Sequence, residues 1–235
     1  MVDISIRGEL WDDDSADVLR WWGFRDITAP MDIRTALESA GGDEVTVLVN
    51  SPGGDMTVGA EIRSILRRYQ GKTTALFQGY GASAATLAVS ACSVIQSEPG
   101  ALLCYHNPSG TTDGDFREMR RSAEALRNAR DCILEMYTAR SGSRSREELI
   151  SLMDKNIWIT PTQAREYGLI DEIVGAAQEP EEEPAAFVAA AGRRIRLTAA
   201  MREQYQAHVA AERAEAARKD EAARTLARLR ALAGF

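Results

Sequence analysis

Apolar and polar residues alternate through Ile4-Ser5-Ile6-Arg7-Gly8-Glu9-Leu10, the period of a half-buried strand. An acidic, Trp-rich connection with Trp11, Trp21 and Trp22 follows. Thr28 then reads as an N-cap, with Pro30 in the first turn and Ile33, Ala36 and Leu37 as the apolar stripe of a helix that ends at Gly41-Gly42. Val45–Val49 is a β-branched strand running into Asn50-Ser51-Pro52-Gly53-Gly54. Helical spacing returns in Val58, Ile62, Ile65 and Leu66, between Met56 and Tyr69. Thr73-Thr74-Ala75-Leu76-Phe77 predicts a buried strand, and two short strands, 93–96 and 101–105, flank Glu98-Pro99-Gly100.

Phe116, Met119, Ala123, Leu126, Ile133 and Tyr137 mark a long amphipathic helix over 115–140. Ser145 and Glu148 form a capping-box pattern, a further helix runs from Pro161 to Gly168, and Leu169–Val174 closes the core. Strands alternating with helices predict an α/β class with largely parallel pairing. Past 178–184, Thr198 is expected to cap a helix reaching nearly to Gly234. Its apolar side is mostly alanine until Leu226, Leu229 and Leu232, so it has high propensity and little to bury.

Charge divides the chain the same way. Residues 1–177 carry 18 basic and 26 acidic side chains, residues 178–184 hold four glutamates and two prolines, and residues 185–235 carry 10 basic against 5 acidic. This gives a body at 1–177, an acidic Pro-bounded linker and connector at 178–197, and a cationic tail at 198–235. A body of net −8 is not a nucleic-acid binder by bulk electrostatics. The stretch from Thr73 to Ser97 is uncharged, but its Gly, Ser, Thr and Gln content suits buried core better than a bilayer. Cys92, Cys104 and Cys132 are odd in number and widely spaced, as expected for reduced thiols in a cytosolic compartment. With His106 and His208 the only histidines, no zinc spacing exists and no cofactor is implied.

Gln78-Gly79-Tyr80-Gly81-Ala82-Ser83-Ala84-Ala85-Thr86 sets a serine among small residues where a strand meets a helix. The bland reading is a small-residue helix contact with a serine in it. The chemical reading needs a base for the serine, and His106 is the one histidine of the core region. Gly53-Gly54, Ser83 and His106 all follow strands, where α/β folds gather catalytic groups. The N–H groups of Gly54 and Ala84 are suited to an oxyanion hole.

These stretches resemble the Clp protease proteolytic subunit family, within the broader crotonase-like fold. The likeness spans about residues 4–175 and rests on Val47–Gly54, Gly81-Ala82-Ser83-Ala84, Tyr105-His106-Asn107-Pro108 and Trp158–Asp171 in that order. It implies repeated β-β-α units, a handle-like helix at 115–140 through which rings pair, and a C-terminal helical tail added to them. It implies a serine endopeptidase with Ser83 as nucleophile, His106 as base, Gly54 and Ala84 as oxyanion donors, and Gly53 and Asp55 touching a protein or peptide substrate. The family's third triad member is an aspartate where this chain has Asn156; Asp154, two residues earlier, is favoured by chemistry and Asn156 by register. Only three residues precede Ile4, which puts dependence on an ATPase unfoldase in question. The cationic tail is similar to that of phage ClpP-related head maturation proteases, implying a capsid or scaffold substrate and a place in host cytosol or procapsid, with no membrane. A pseudoprotease acting in assembly, and a crotonase-type acyl-CoA enzyme, are the alternatives.

Overall fold

The computed structural model describes residues 2–142, 144–175 and 198–232. They divide into two compact units, one of residues 2–16 and 25–175, the other of residues 17–24 and 198–232. The acidic linker at 178–184 lies outside the described residues.

The first unit holds a parallel sheet of β1 (Val2–Leu10), β2 (Ile27–Thr28), β3 (Val45–Gly54), β4 (Thr73–Ala82), β5 (Val94–Ser97), β6 (Leu102–Cys104) and β7 (Glu172–Ile173). The order is β2-β1-β3-β4-β5-β7, with β6 pairing the far end of β4. Every ladder among the described residues is parallel, as the α/β alternation predicts. One isolated antiparallel bridge, Leu103 to Ile159, has both backbone bonds made, at 3.0 and 2.8 Å. It ties the segment after residue 156 to the strand that leads into His106.

β3 alternates strictly between buried and half-buried residues along Val45–Gly53, so one face meets the helices while the other stays accessible at its end. The connecting helices are α2 (Pro30–Ala40), α3 (Met56–Arg68), α4 (Ala84–Val89), α5 (Phe116–Ser141), α6 (Arg146–Lys155) and α7 (Pro161–Glu166). All six residues of α4 are buried, which explains the uncharged run: this segment is the centre of the core. No described helix is long and apolar enough to cross a membrane. Gly59 of α3 lies so close to α4 that a Cβ there would stand 2.6 Å from the Ala84 carbonyl oxygen. Part of the small-residue pattern around Ser83 is therefore packing, as the bland reading held.

Three local readings shift. The acidic connection after β1 is helix α1 (Asp13–Trp21), whose Ser15 N–H donates to Asp12 at 2.9 Å. Thr28 does not cap α2. Its hydroxyl accepts the Arg7 N–H at 2.9 Å and donates to the Arg7 carbonyl at 2.8 Å, clamping β2 to β1. The cap passes to Ala29, whose N–H is taken by Asp32 at 2.8 Å. The last apolar run makes only the two-residue β7, with Leu169 and Ile170 buried ahead of it. Asp115, Ser145 and Thr160 cap their helices, each in a capping box.

In the second unit, α8 (Ala199–Leu232) begins as expected at Thr198, whose hydroxyl accepts the Met201 N–H at 3.3 Å. The Trp21 ring stands 5.1 Å from His208 and 6.2 Å from Tyr205.

Candidate active site

Ser83 is the hinge between β4 and α4, at φ 57° and ψ −131°. Only one other described non-glycine residue, Asn156, has positive φ. An L-residue enters that region at a cost of about 1–3 kcal/mol, and surroundings must hold it there. They do so from three sides. The Ser83 N–H donates to the Cys104 carbonyl at 3.0 Å. The Ser83 carbonyl accepts the Thr86 hydroxyl at 2.7 Å; having given its proton there, that hydroxyl takes the one from the buried Tyr137 hydroxyl of α5, also at 2.7 Å. The third side is Gly53, where a Cβ would stand 2.7 Å from the Ser83 Cβ and 2.8 Å from the Ala84 nitrogen. Gly53, at φ +88°, is where only glycine fits.

The two candidate oxyanion donors follow from the same geometry. Ala84 opens α4, so its N–H has no intrahelical acceptor. Gly53 gives its own N–H to Ser51 Oγ at 3.1 Å, and Ser51, fully buried, donates to the Gly8 carbonyl at 2.6 Å. The Asp55 N–H turns to Leu10 of β1 at 3.1 Å. Gly54 pairs with Leu10 at the end of the β1–β3 ladder. Asp55 itself caps α3, accepting Thr57 N–H and hydroxyl at 2.7 and 2.6 Å. That carboxylate is occupied by the helix end.

β6 pairs Cys104 with Ala82, placing the His106 Cα about 7 Å farther along an extended chain. His106 is half-buried, and its Nδ1 lies 2.7 Å from the Asn107 carbonyl. Among the described residues the Ser83 hydroxyl has no hydrogen-bond partner, so the Ser83–His106 bond is not made in this state. Such bonds are often long in free enzymes and tighten with substrate. The two candidates for the third position separate. Asn156 ends α6 in the left-handed conformation, φ 48° and ψ 49°. Asp154 accepts the Asn107 side-chain amide at 2.7 Å. Asn107 escaped the sequence reading, although its place between His106 and Pro108 was the available signal.

Residues 31–177 match the profile of the Clp protease family, a span holding every candidate site residue. The chain belongs to the Clp protease family. Among its relatives, the ATP-dependent Clp protease proteolytic subunit of Nephroselmis olivacea is 31% identical over 135 residues, 57% of this chain and 64% of that protein. Proteolytic subunit 1 of Streptomyces avermitilis is 31% identical over 133 residues, 56% of this chain and 61% of that one. The Mesostigma viride subunit is 29% identical over 136 residues, 57% and 59%. The chain thus spans about three-fifths of the length of the curated relatives it matches.

The residue whose carbonyl takes the Ser83 N–H is a cysteine, Cys104. Burial pushes the Cys104 thiol up to about 11 and the Cys92 thiol up to about 12. Thiolate, the reactive form, grows as pH rises toward those values, and at pH 9 Cys104 is still only about 1% ionised. Cys132 on α5 is exposed. Iodoacetamide at pH 8 is therefore expected to alkylate Cys132 well before Cys92 or Cys104, read by peptide mass spectrometry on the native chain. Equal labelling of Cys104 would show a more open site than this one.

Proposed function

We propose that the chain is a serine endopeptidase acting through an acyl-enzyme. Ser83 is the nucleophile, His106 the base that takes its proton and returns it to the leaving amine, and the N–H groups of Gly54 and Ala84 receive the oxyanion. The observation that carries this reading is the backbone of Ser83. A non-glycine residue held at positive φ, on a strand-to-helix turn with a glycine against its Cβ, is a nucleophile elbow. Packing alone gives no reason to strain a serine whose hydroxyl bonds no described residue. Relatives that carry the name of ATP-dependent Clp protease proteolytic subunits support a protein substrate and assembly into a homo-oligomeric ring.

Within that class we read the chain as a capsid maturation protease working in the host cytosol or procapsid, since residues 185–235, with 10 basic against 5 acidic side chains, follow an acidic body. The unbonded Ser83 hydroxyl and the amide at Asn156 favour a second reading, a weak pseudoprotease kept for assembly. A fluorophosphonate probe separates the two. Mass spectrometry of the labelled chain is expected to find the adduct on Ser83 alone, and co-expression with a candidate capsid protein is expected to yield defined fragments. An intact Ser83 peptide after prolonged exposure, with assembly retained, would leave the pseudoprotease.

A further inference from the structure

The triad of a serine protease needs a group that fixes the histidine tautomer, and among the described residues no carboxylate hydrogen-bonds to the imidazole. Nδ1 of His106 lies 2.7 Å from the Asn107 carbonyl oxygen. A carbonyl can only accept, so Nδ1 carries the proton and Nε2 keeps the lone pair that a general base needs. The direction of that carbonyl is set by its own residue. Pro108 restricts Asn107 to extended backbone angles, and the Asn107 side chain is tied down on the other side. Its Nδ2 donates to Asp154 Oδ1 at 2.7 Å, across 47 positions of sequence, in the last turn of α6.

The amide orientation follows from chemistry. Reversed, it would point an acceptor oxygen at an acceptor carboxylate. Its Oδ1 is buried with no donor among the described residues, so the side chain depends on Asp154 for its hydrogen bonding. Asn156 has a separate occupation: it closes α6 in a left-handed conformation that asparagine adopts more readily than most residues.

Taking Ser83 and His106 as nucleophile and base, we propose that Asn107 is a positioning residue through which Asp154 acts on His106. Its main-chain carbonyl holds the Nδ1–H tautomer, and its amide locks that carbonyl to the Asp154 carboxylate. The third triad role is thereby divided between two residues. Neither occupies the position where register puts it.

Two readouts test this on the full chain. With nitrogen-15 histidine labelling and two histidines to assign, His208→Gln identifying the second, His106 is expected to be the Nδ1–H tautomer. Asp154→Ala and Asn107→Ala are expected to shift it toward Nε2–H. In fluorophosphonate acylation of Ser83, each single variant is expected to be slower by about tenfold, a part of the 10²–10⁴ that general base catalysis supplies. The double variant should be no slower than either single one, and the exchange Asn107→Asp with Asp154→Asn, which rebuilds an amide–carboxylate bond, should recover most of the rate. Asn156→Ala should lower thermal stability, as a left-handed cap predicts. An Nε2–H His106 in the parent chain, or a tautomer and rate indifferent to Asp154 while Ser83 still labels, would overturn the proposal. A chain that shows the Nδ1–H tautomer and its dependence on Asp154, yet never labels at Ser83, would instead overturn the catalytic reading beneath it.

Discussion

Ser83→Gly is expected to be more stable than the parent chain and wholly unreactive. At φ 57° and ψ −131° the serine sits where L side chains meet steric resistance, worth about 1–3 kcal/mol. Glycine removes that strain. It also gives the unfolded chain more freedom, which takes back about 0.4–1 kcal/mol. The hydroxyl contributes nothing on the other side of the balance, since it bonds no described residue. Net stabilisation of about 1 kcal/mol, visible in urea titration as a higher midpoint at unchanged slope, should accompany complete loss of fluorophosphonate labelling. Ser83→Ala keeps the Cβ and the strain, so it should lose labelling with stability near the parent value. This pair separates reactivity from stability at one position. A destabilised glycine variant would mean that the local geometry is not a strained elbow, and label retained by either variant would place the nucleophile elsewhere.

That strain marks the boundary of what the sequence discloses. The strands were legible because burial leaves a period: β3 alternates through Val45, Val47 and Val49, and the helices show apolar spacing at Val58, Ile62 and Leu66. Ser145 was legible as a cap because its hydrogen bonds close with Glu148 three residues on; Asp115 and Thr160, left unassigned by the sequence reading, cap their helices by the same short-range pattern. Thr28 misled for the opposite reason. A hydroxyl suited to the helix beside it was claimed by Arg7, 21 residues away, and no local pattern registers a distant competitor. Helix α1 was hidden by its acidic, Trp-rich composition, although Asp12 stood in the capping position.

The candidate site divides along the same line. Ser83, His106, Gly53 and Gly54 lie at strand ends, so their proximity follows once the strands and their order are known. The identity of the group that orients His106 does not follow, because it depends on how α6 ends. Asparagine at 156 takes a left-handed backbone there and turns the chain, while the carboxylate one half-turn earlier reaches the loop after His106. Register in an alignment counts residues; it does not see which of two neighbours the helix end points toward the loop. Asn107 was overlooked because an amide next to a histidine looks like loop composition until its partner, 47 residues on, is in place.

Gly53→Ala is expected to disable the site from outside it. The new Cβ would stand 2.6 Å from the Ala82 carbonyl oxygen, 2.7 Å from the Ser83 Cβ and 2.8 Å from the Ala84 nitrogen, all shorter than van der Waals contact allows. Two of the three are backbone atoms and the third is fixed to the backbone, so no side chain can rotate out of the way. At φ +88° the alanine is strained as well, by about 1–2 kcal/mol. The chain must relieve both by moving β3 away from the β4–α4 turn, which displaces Ser83 and the Ala84 N–H relative to the Gly54 N–H. A shift of about 1 Å in such a constellation costs about 10² in rate. Acylation should therefore fall by about that factor or more, together with a lower melting temperature. Gly100→Ala supplies the control: with nothing within 4 Å of its added Cβ, it should change stability by no more than about 0.5 kcal/mol and leave acylation untouched. A Gly53→Ala chain that labels at the parent rate would show that the elbow tolerates a side chain where this geometry leaves no room. The close approach of β3 to Ser83 would then have no part in arranging the oxyanion donors.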